Sequence, residues 1–247
     1  MIRHIGHTII SLPSTPSTNN YAISQATDNE AEEGVVFLAY EQTAGRGQIS
    51  NRWESEAGKN LTFSIVLKPA FLDIHRQFML SKAVCLGLVS FLSRYADGVK
   101  VKWPNDIYLG DRKISGILIE NAVMSSVISQ SVVGIGLNVN QTVFRSSVPN
   151  PVSLKMITGV DYDLGVLIKE LLNEIDQLYL KLKQNCYREL SRAYRENLYR
   201  LGQWHPFRDQ EHAYTGMIDG VNPIGQLRIR EKDGPVHEYH FKEVEYL

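Results

Sequence analysis

Cysteine is scarce in this chain, and so are long apolar runs and any excess of one charge. Of the 247 residues, only Cys85 and Cys186 are cysteines, far apart and without C-x-x-C spacing. That argues against a disulfide framework or a cysteine zinc site and fits a reducing compartment. No apolar stretch approaches the roughly 20 residues a membrane span requires. The run Ile9-Ile10-Ser11-Leu12 is too short for the apolar part of a signal peptide and is ended by Pro13. A cytoplasmic protein with no membrane contact is expected, and the glycosylation sequons at Asn60 and Asn140 are read as chance. The formal net charge of −1 leaves no basic surplus for general nucleic-acid binding. Internal repeats and low-complexity tracts are also missing. What is present is ordinary globular composition, 43% hydrophobic and 21% charged. The length suits one large domain with a small one appended.

Ser17-Thr18-Asn19-Asn20 has helix-capping chemistry ahead of Tyr21-Ala22-Ile23, which predicts a helix over about Asn19 to Asp28. Val35 to Tyr40 is a continuous apolar run, as in a strand buried on both faces. The polar stretch from Glu41 to Asn60 is long for a loop inside a compact domain, and loops of that kind are usually functional or mobile. Leu61 to Leu67 mostly alternates and reads as a strand. Phe78, Val84, Leu88, Phe91, Leu92 and Tyr95 fall at helical spacing. Val99, Val101 and Trp103 alternate with Lys100 and Lys102 up to Pro104, and further strands are expected over Ile114–Glu120 and Ser131–Val139. A strong helical stripe runs from Leu164 to Leu182, and a charged helical stretch continues to about Tyr199. From Phe207 onward, short strands alternate with turns at Gly220, Asn222-Pro223 and Asp233-Gly234, the pattern of a small β domain.

Two segments carry chemistry. In Thr43-Ala44-Gly45-Arg46-Gly47-Gln48, two glycines bracket an arginine just after a buried strand. Glycine permits close backbone approach, so successive amides can point at an anion, and Arg46 adds a cationic fork suited to phosphate or carboxylate. The pattern is neither the dinucleotide GxGxxG fingerprint nor a P-loop. A flexible surface loop with a solvated arginine would give the same residues, but Trp53 in this polar stretch must cover something, and a stacked base is a suitable partner.

In Val99-Lys100-Val101-Lys102-Trp103-Pro104-Asn105-Asp106, alternation puts both lysines opposite the apolar face. Plain solvent-facing lysines have that pattern too. However, Pro104 and the turn-forming Asn105-Asp106 place Lys102 at a strand end, where a rigid sheet aims a point charge. Gly116, Gly134 and Gly136 interrupt the next two strands, where either a ligand or a tightly packed helix would approach the backbone.

Taken together and in order, Gln42-Thr43-Ala44-Gly45-Arg46-Gly47 with Trp53, Lys102-Trp103-Pro104-Asn105-Asp106, Lys113-xx-Gly116-Ile117-Leu118-x-Glu120 and Gly134-x-Gly136-x-Asn138 resemble the biotin protein ligases. Ser17-Thr18-Asn19 matches that family's early Ser-Thr-Asn motif. The resemblance implies an α+β fold. It would be a mixed β-sheet with flanking helices, of the class II aminoacyl-tRNA synthetase and biotin ligase type, over residues 1–200. A C-terminal SH3-like β-barrel would follow over 201–247, where Tyr214 to Val221, Gly225-Gln226-Leu227 and Lys242-Glu243-Val244 resemble the family's barrel. Many relatives begin with a DNA-binding helix-turn-helix. Here the Ser-Thr-Asn motif starts at Ser17, so a monofunctional ligase that does not bind DNA is expected.

The chemistry implied by the resemblance has two steps. Biotin and ATP, with Mg²⁺, give biotinyl-5′-AMP and pyrophosphate. The lysine of a biotin carboxyl carrier protein then takes the biotinyl group and AMP leaves. By the same resemblance Lys102 and Arg46 are the catalytic cations. Ser17, Thr18, Asn19, Gln42, Gly45, Gly47, Gln48, Gly116 and Gly136 would join them around biotin, with Trp53 and Asn138 serving the adenylate. The resemblance leaves monomer and homodimer both open. Asp106 and Glu120 could help to place Mg²⁺, but a turn and a solvated strand end explain them equally well. His4 with His7 and His237 with His240 are read as surface or packing residues, and no protein metal centre is expected. Many relatives read Gly-Arg-Gly-Arg-x-Gly across the loop, whereas here Gln48 stands for the second arginine and Ser50 for the second glycine. One cation fewer predicts a looser hold on the adenylate. A lipoate–protein ligase is the nearest alternative enzyme, and a non-catalytic biotin sensor is the alternative of another class. The first lacks this pairing of motifs, and the second should have lost Lys102 or Arg46.

Overall fold

The computed structural model describes residues 4–27, 31–48, 51–145, 150–210, 212–232 and 234–247. Its centre is a seven-stranded sheet. The strands are β1 (Ile9–Leu12), β2 (Val36–Ala39), β3 (Leu61–Leu67), β4 (Val99–Lys102), β5 (Asp106–Leu109), β6 (Arg112–Met124) and β7 (Val127–Leu137), in the order β1-β2-β3-β7-β6-β5-β4. β1 and β2 are parallel and the other neighbours antiparallel, so the sheet is mixed. β3 was expected to alternate, yet every one of its residues is buried. It lies inside the sheet with a helix layer on each face, so neither set of side chains meets water.

On one face lie α2 (Phe78–Leu92), α4 (Leu164–Lys183) and α5 (Tyr187–Glu196). α2 is buried along almost its whole length, sandwiched between the sheet and α4. Gly87 makes that possible, because a Cβ there would stand 2.9 Å from the Ile175 Cα. α4 is the expected stripe, with Leu167, Ile168, Leu171, Leu172, Ile175, Tyr179 and Leu182 facing inward. Asp163 caps it by accepting hydrogen bonds from the amides of Gly165 and Val166 at 2.7 and 3.1 Å. The helical stretch expected to reach Tyr199 is broken at Asn185, which sits in the left-handed region with φ 60°, and α5 ends at Glu196. α1 (Thr18–Thr27) covers the other face alone, setting Ala22 and Ala26 on Phe37, Val66 and Val132. Its expected last residue, Asp28, lies outside the described residues. α3 (Leu154–Thr158) is a single short turn between Ser153 and Gly159, its capping residues.

The C-terminal strands β8 (Trp204–Arg208), β9 (Ala213–Val221), β10 (Leu227–Glu231), β11 (Val236–Tyr239) and β12 (Glu245–Tyr246) form a five-stranded antiparallel sheet in the order β11-β10-β9-β8-β12, an SH3-like unit. Trp103 fastens it to the end of β4, its Nε1 donating to the Gly225 carbonyl at 2.9 Å. Gly225 is in the left-handed region (φ +99°) and packs on the Phe78 ring, where a Cβ would come within 2.6 Å. Among the described residues no helix is long and apolar enough to cross a membrane. Asn60 is buried, with its side chain bonded to Gln141 and to the Val139 amide, so that sequon is closed to a glycan.

Candidate functional site

Strand register assembles the site. Lys102 pairs with Asp106, Asp106 with Gly116, Gly116 with Gly136, and Gly136 with Thr62. Residues directly opposite in antiparallel ladders share a face, so one row across four strand pairings carries the lysine, a carboxylate and two bare backbone positions. The row beyond it holds Leu118, Gly134 and Ser64. All of this lies on the α1 face, where α1 covers one end and leaves the rest open. The opening is a cleft of about 410 Å³.

Lys102 stands at one end of the row. Its Nζ donates to the Tyr108 hydroxyl at 3.2 Å, and no carboxylate among the described residues lies within ion-pair range of it. Asp106, the nearest acid in the register, is taken by Lys113 at 2.7 Å. An ammonium has three N–H donors, so Lys102 keeps donors for a ligand oxygen. Burial pushes its pKa below the ordinary lysine value, with Asp106 opposing the shift and Arg200 and Lys113 adding to it.

At the other end, the first turn of α1 meets the chain after β2. Gln42 Oε1 accepts from the Thr18 amide at 2.8 Å and from its hydroxyl at 3.0 Å, capping the helix from outside. Ser64 Oγ donates its hydrogen to Asn19 Oδ1 at 2.6 Å and lies 2.8 Å from Thr18 Oγ1. Asn19 fills the space over Gly134, where a Cβ would stand 2.0 Å from its Oδ1. Ser17, Thr18 and Asn19 are all buried, and this end of the cleft is fixed before anything binds.

The loop from Gly45 to Trp53 closes over the row. It folds back as a ribbon, with the Trp53 amide donating to Gly45 O at 3.0 Å and the Gly47 amide to Asn51 O at 2.8 Å. The Gly47 amide, expected to face an anion, is thus occupied within the loop. A Cβ on Gly45 would meet the Trp53 carbonyl at 2.5 Å, so this glycine is needed for loop closure. Arg46 reaches down to Glu120 at 2.9 Å and to the Asn20 side chain, while Glu120 also accepts from Asn19 Nδ2 at 2.9 Å. The Trp53 indole lies on the glycine row itself. Cβ atoms built on Gly136 and Gly116 would stand 2.2 and 3.1 Å from its ring, so the close approach the glycines permit is made here by the tryptophan. Its Nε1 is buried without a hydrogen-bond partner. Lys113 Nζ sits 5.8 Å from the ring centroid.

Of the residues singled out from sequence, Lys102, Arg46, Ser17, Thr18, Asn19, Gln42, Gly47, Gln48, Trp53, Gly116 and Gly136 line the cleft. Gly45 and Asn138 do not. Asn138 stands behind the floor, donating to Val152 O at 3.1 Å, with its Oδ1 buried and unpartnered. Ser50 lies outside the described residues. The sequence reading gave no role to Lys113, Tyr108, Phe241 or Tyr246. The Lys113–Asp106 pair was within reach, since both residues stood in quoted motifs, but the partners from the C-terminal sheet carried no local signal.

Known proteins bear on this arrangement. Residues 11–138, more than half of the chain, match the Biotin/lipoate A/B protein ligase family. A Biotin--[acetyl-CoA-carboxylase] ligase of Paracoccus denitrificans is 28% identical over 232 residues, covering 90% of this chain and 94% of that protein. The Bifunctional ligase/repressor BirA of Bacillus subtilis is 26% identical over 225 residues, 88% of this chain and 68% of that one. Among solved structures, a biotin protein ligase from Aquifex aeolicus in complex with biotin and ATP superposes with a TM-score of 0.81 at 25% identity, covering 98% of this chain and 100% of that one. The cleft, the ordered motifs and these likenesses agree, and the chain belongs to the biotin/lipoate A/B protein ligase family.

Proposed function

We propose that this chain is an ATP-dependent biotin–protein ligase, which activates biotin as biotinyl-5′-AMP and passes the biotinyl group to the acceptor lysine of a biotin carboxyl carrier domain. The observation that carries the reading is the row of Lys102, Gly116 and Gly136, with an ammonium free of carboxylates at the end of a bare backbone floor. Residues 1–200 form the catalytic domain in this reading, and 201–247 the SH3-like domain that abuts it.

In the first step a biotin carboxylate oxygen attacks the α-phosphorus of ATP and pyrophosphate leaves. Negative charge accumulates on the phosphoryl oxygens, and Lys102, held in a partly desolvated site, offers its free N–H groups to them. Arg46 supplies a second cation once it exchanges Glu120 for phosphate, an exchange its half-exposed position permits. Ser17, Thr18, Asn19 and Gln42 set the biotin end, already ordered by mutual hydrogen bonds. For ligand to lie on Gly116 and Gly136, Trp53 must lift from them, and its ring is then available to stack on adenine. Asn138, behind the floor, would reach the adenine amine with its unpartnered Oδ1 only if the floor in front of it shifts when Trp53 lifts. In the second step the carrier lysine attacks the acyl carbon and AMP departs. The loop around Arg46 acts as a lid that excludes water from the mixed anhydride.

Magnesium is bound in such enzymes largely through substrate phosphates and one or two carboxylates, and it spreads the phosphate charge. No group of three or more potential metal ligands occurs among the described residues. Asp106, which lines the cleft, and Glu120, which lies under Arg46, would fit the lesser demand of completing a phosphate-borne ion.

The test is incubation with ATP, Mg²⁺, a carrier domain and either biotin or lipoate, following pyrophosphate release and label on the carrier. Transfer of biotin by the native chain, lost in Lys102→Ala, supports the reading. Pyrophosphate release with lipoate alone would replace it with a lipoate ligase, and binding of biotin without turnover would replace it with a sensor.

A further inference from the structure

The cleft is closed near Lys102 by the last residues of the chain. The Lys102 Nζ stands 4.8 Å from the ring centroid of Tyr108, on β5 beside it, and 4.8 Å from that of Tyr246, on β12. The ammonium is therefore held at the Tyr108 hydroxyl, to which it donates at 3.2 Å, and against the Tyr246 ring, one contact from each sheet. Tyr246 is itself fixed. Its residue pairs with Phe207 in the β8–β12 ladder, and its ring packs edge-on against Phe207 at 5.3 Å and stacks on Tyr199 at 6.4 Å. The next residue, Leu247, donates its amide to Pro206 O at 3.2 Å and accepts from Arg200 at 3.3 Å, so the chain end cannot swing away freely. The Tyr246 hydroxyl is buried and has no hydrogen-bond partner. The ring and not the hydroxyl is thus the part with a visible task.

We propose that Tyr246 is a positioning residue for the reaction, its ring holding in one place the Lys102 ammonium that donates to the Tyr108 hydroxyl. This rests on the ligase reading of the cleft and deepens it, because it makes the C-terminal sheet part of the catalytic centre. The physical reason is the nature of lysine. Its charge rides on a flexible four-carbon stem, and β4 orients only the base of that stem. Ring faces attract a cation without neutralising it, whereas a carboxylate partner would compete with ligand oxygens. The Tyr246 ring and the Tyr108 hydroxyl together therefore restrain Lys102 and leave its remaining N–H groups to the substrate.

Desolvation pushes both phenols well above their ordinary range, so the rings are neutral. The other charged or titratable groups around Lys102 are Asp106 on β5, Asp111 and Lys113 at the start of β6, and Arg200 before the C-terminal sheet. Asp111 and Arg200 both bond to the Tyr199 hydroxyl, and Tyr246→Phe keeps the ring that stacks on Tyr199, so that variant leaves these groups in place.

Tyr246→Leu keeps the site apolar but removes the ring, and Tyr246→Phe keeps the ring and removes only the idle hydroxyl. Loss of precise placement of a catalytic group costs on the order of tenfold to hundredfold in rate. Tyr246→Leu is expected to lower kcat for biotin-dependent pyrophosphate release by that factor, with KM for biotin and ATP within about twofold, and Tyr246→Phe to restore kcat. The second readout needs no substrate. The titration of Lys102 is followed by NMR on lysine-labelled protein and assigned with Lys102→Met. A lost cation–π contact disfavours the charged form, so Lys102 should titrate lower in Tyr246→Leu and as in the native chain in Tyr246→Phe. Native-like titration in the Leu variant, or equal damage in the Leu and Phe variants, would overturn the proposal. Failure of the native chain to activate biotin would remove the ligase reading alone, since the titration decides the Tyr246–Lys102 contact independently.

Discussion

Gly136→Ala is the substitution whose consequence can be worked furthest from the structure. Gly136 lies in β7 without a positive φ, so alanine fits the backbone, and its added Cβ has one obstacle. The three nearest atoms all belong to Trp53, at 2.2, 2.5 and 2.6 Å. Carbon atoms do not approach to such distances, so the indole must move by more than 1 Å, against ordinary contact at about 3.5–4.0 Å. Overpacking of this kind costs about 1–3 kcal/mol. In a chain of this size each kcal/mol lowers the melting temperature by about 2–4 °C, so a fall of roughly 2–12 °C is expected. Gly116→Ala should be milder, because its Cβ would meet the ring at 3.1 Å and a movable Lys113 chain at 3.3 Å. The decisive comparison repeats Gly136→Ala in a Trp53→Ala background. With the ring gone the penalty should disappear. A gain of about 0.4–1 kcal/mol should replace it, since alanine restricts the unfolded chain more than glycine does. Such a difference between backgrounds is a coupling energy between two residues in contact. Thermal unfolding of the four proteins supplies the numbers. An equal loss in both backgrounds would show that Gly136 is confined by something other than Trp53, and the picture of the indole lying on the glycine row would be wrong.

Gln48→Arg, which adds a second cation to this loop, should slow escape of biotinyl-AMP; equal off-rates for the two proteins would remove the idea that Gln48 loosens the loop's hold. Lys82 gives a pH dependence. Buried between α2 and α5, with Ser191 at 3.1 Å as its hydrogen-bond partner and the Phe78 and Tyr194 rings nearby, it has its pKa lowered by desolvation to about 8. In the unfolded chain it returns to about 10.4, so between those values the unfolded state binds the extra proton and stability rises with pH. Lys82→Met should flatten that rise in urea titrations, and an unchanged slope would refute the assignment.

Much of the framework was legible because its signals are local. The stripe of α4 follows from helical spacing within one segment, and the alternation of Val99, Lys100, Val101 and Lys102 gave the correct face for the lysines. β5 was missed because four residues directly after Pro104-Asn105 offer too little pattern to separate from a turn. α3 was missed for similar reasons, although Ser153 before it and Gly159 after it were readable caps. The break at Asn185 rests on one left-handed residue inside a polar stretch, which helical periodicity does not register.

The site divides along the same line. Its members were named from motifs, but how they meet depends on register between strands far apart in sequence. Nothing within Lys102-Trp103-Pro104-Asn105-Asp106 says that Gly116 and Gly136 continue its row, and a slip of one residue would have turned every member to the other face. The glycines were read as places for a close approach, correctly, but the group that approaches is Trp53, held over them by ribbon bonds between Gly45 and Trp53. Only the assembled sheet could reveal that. The same holds for Lys102. The sequence could aim it by a strand end, whereas the hydroxyl and the ring that hold it come from a strand hidden behind a turn and from the C-terminal sheet. A change in the C-terminal sheet should therefore reach the chemistry through Tyr246, while changes on its far strands β10 and β11 should leave the cleft untouched.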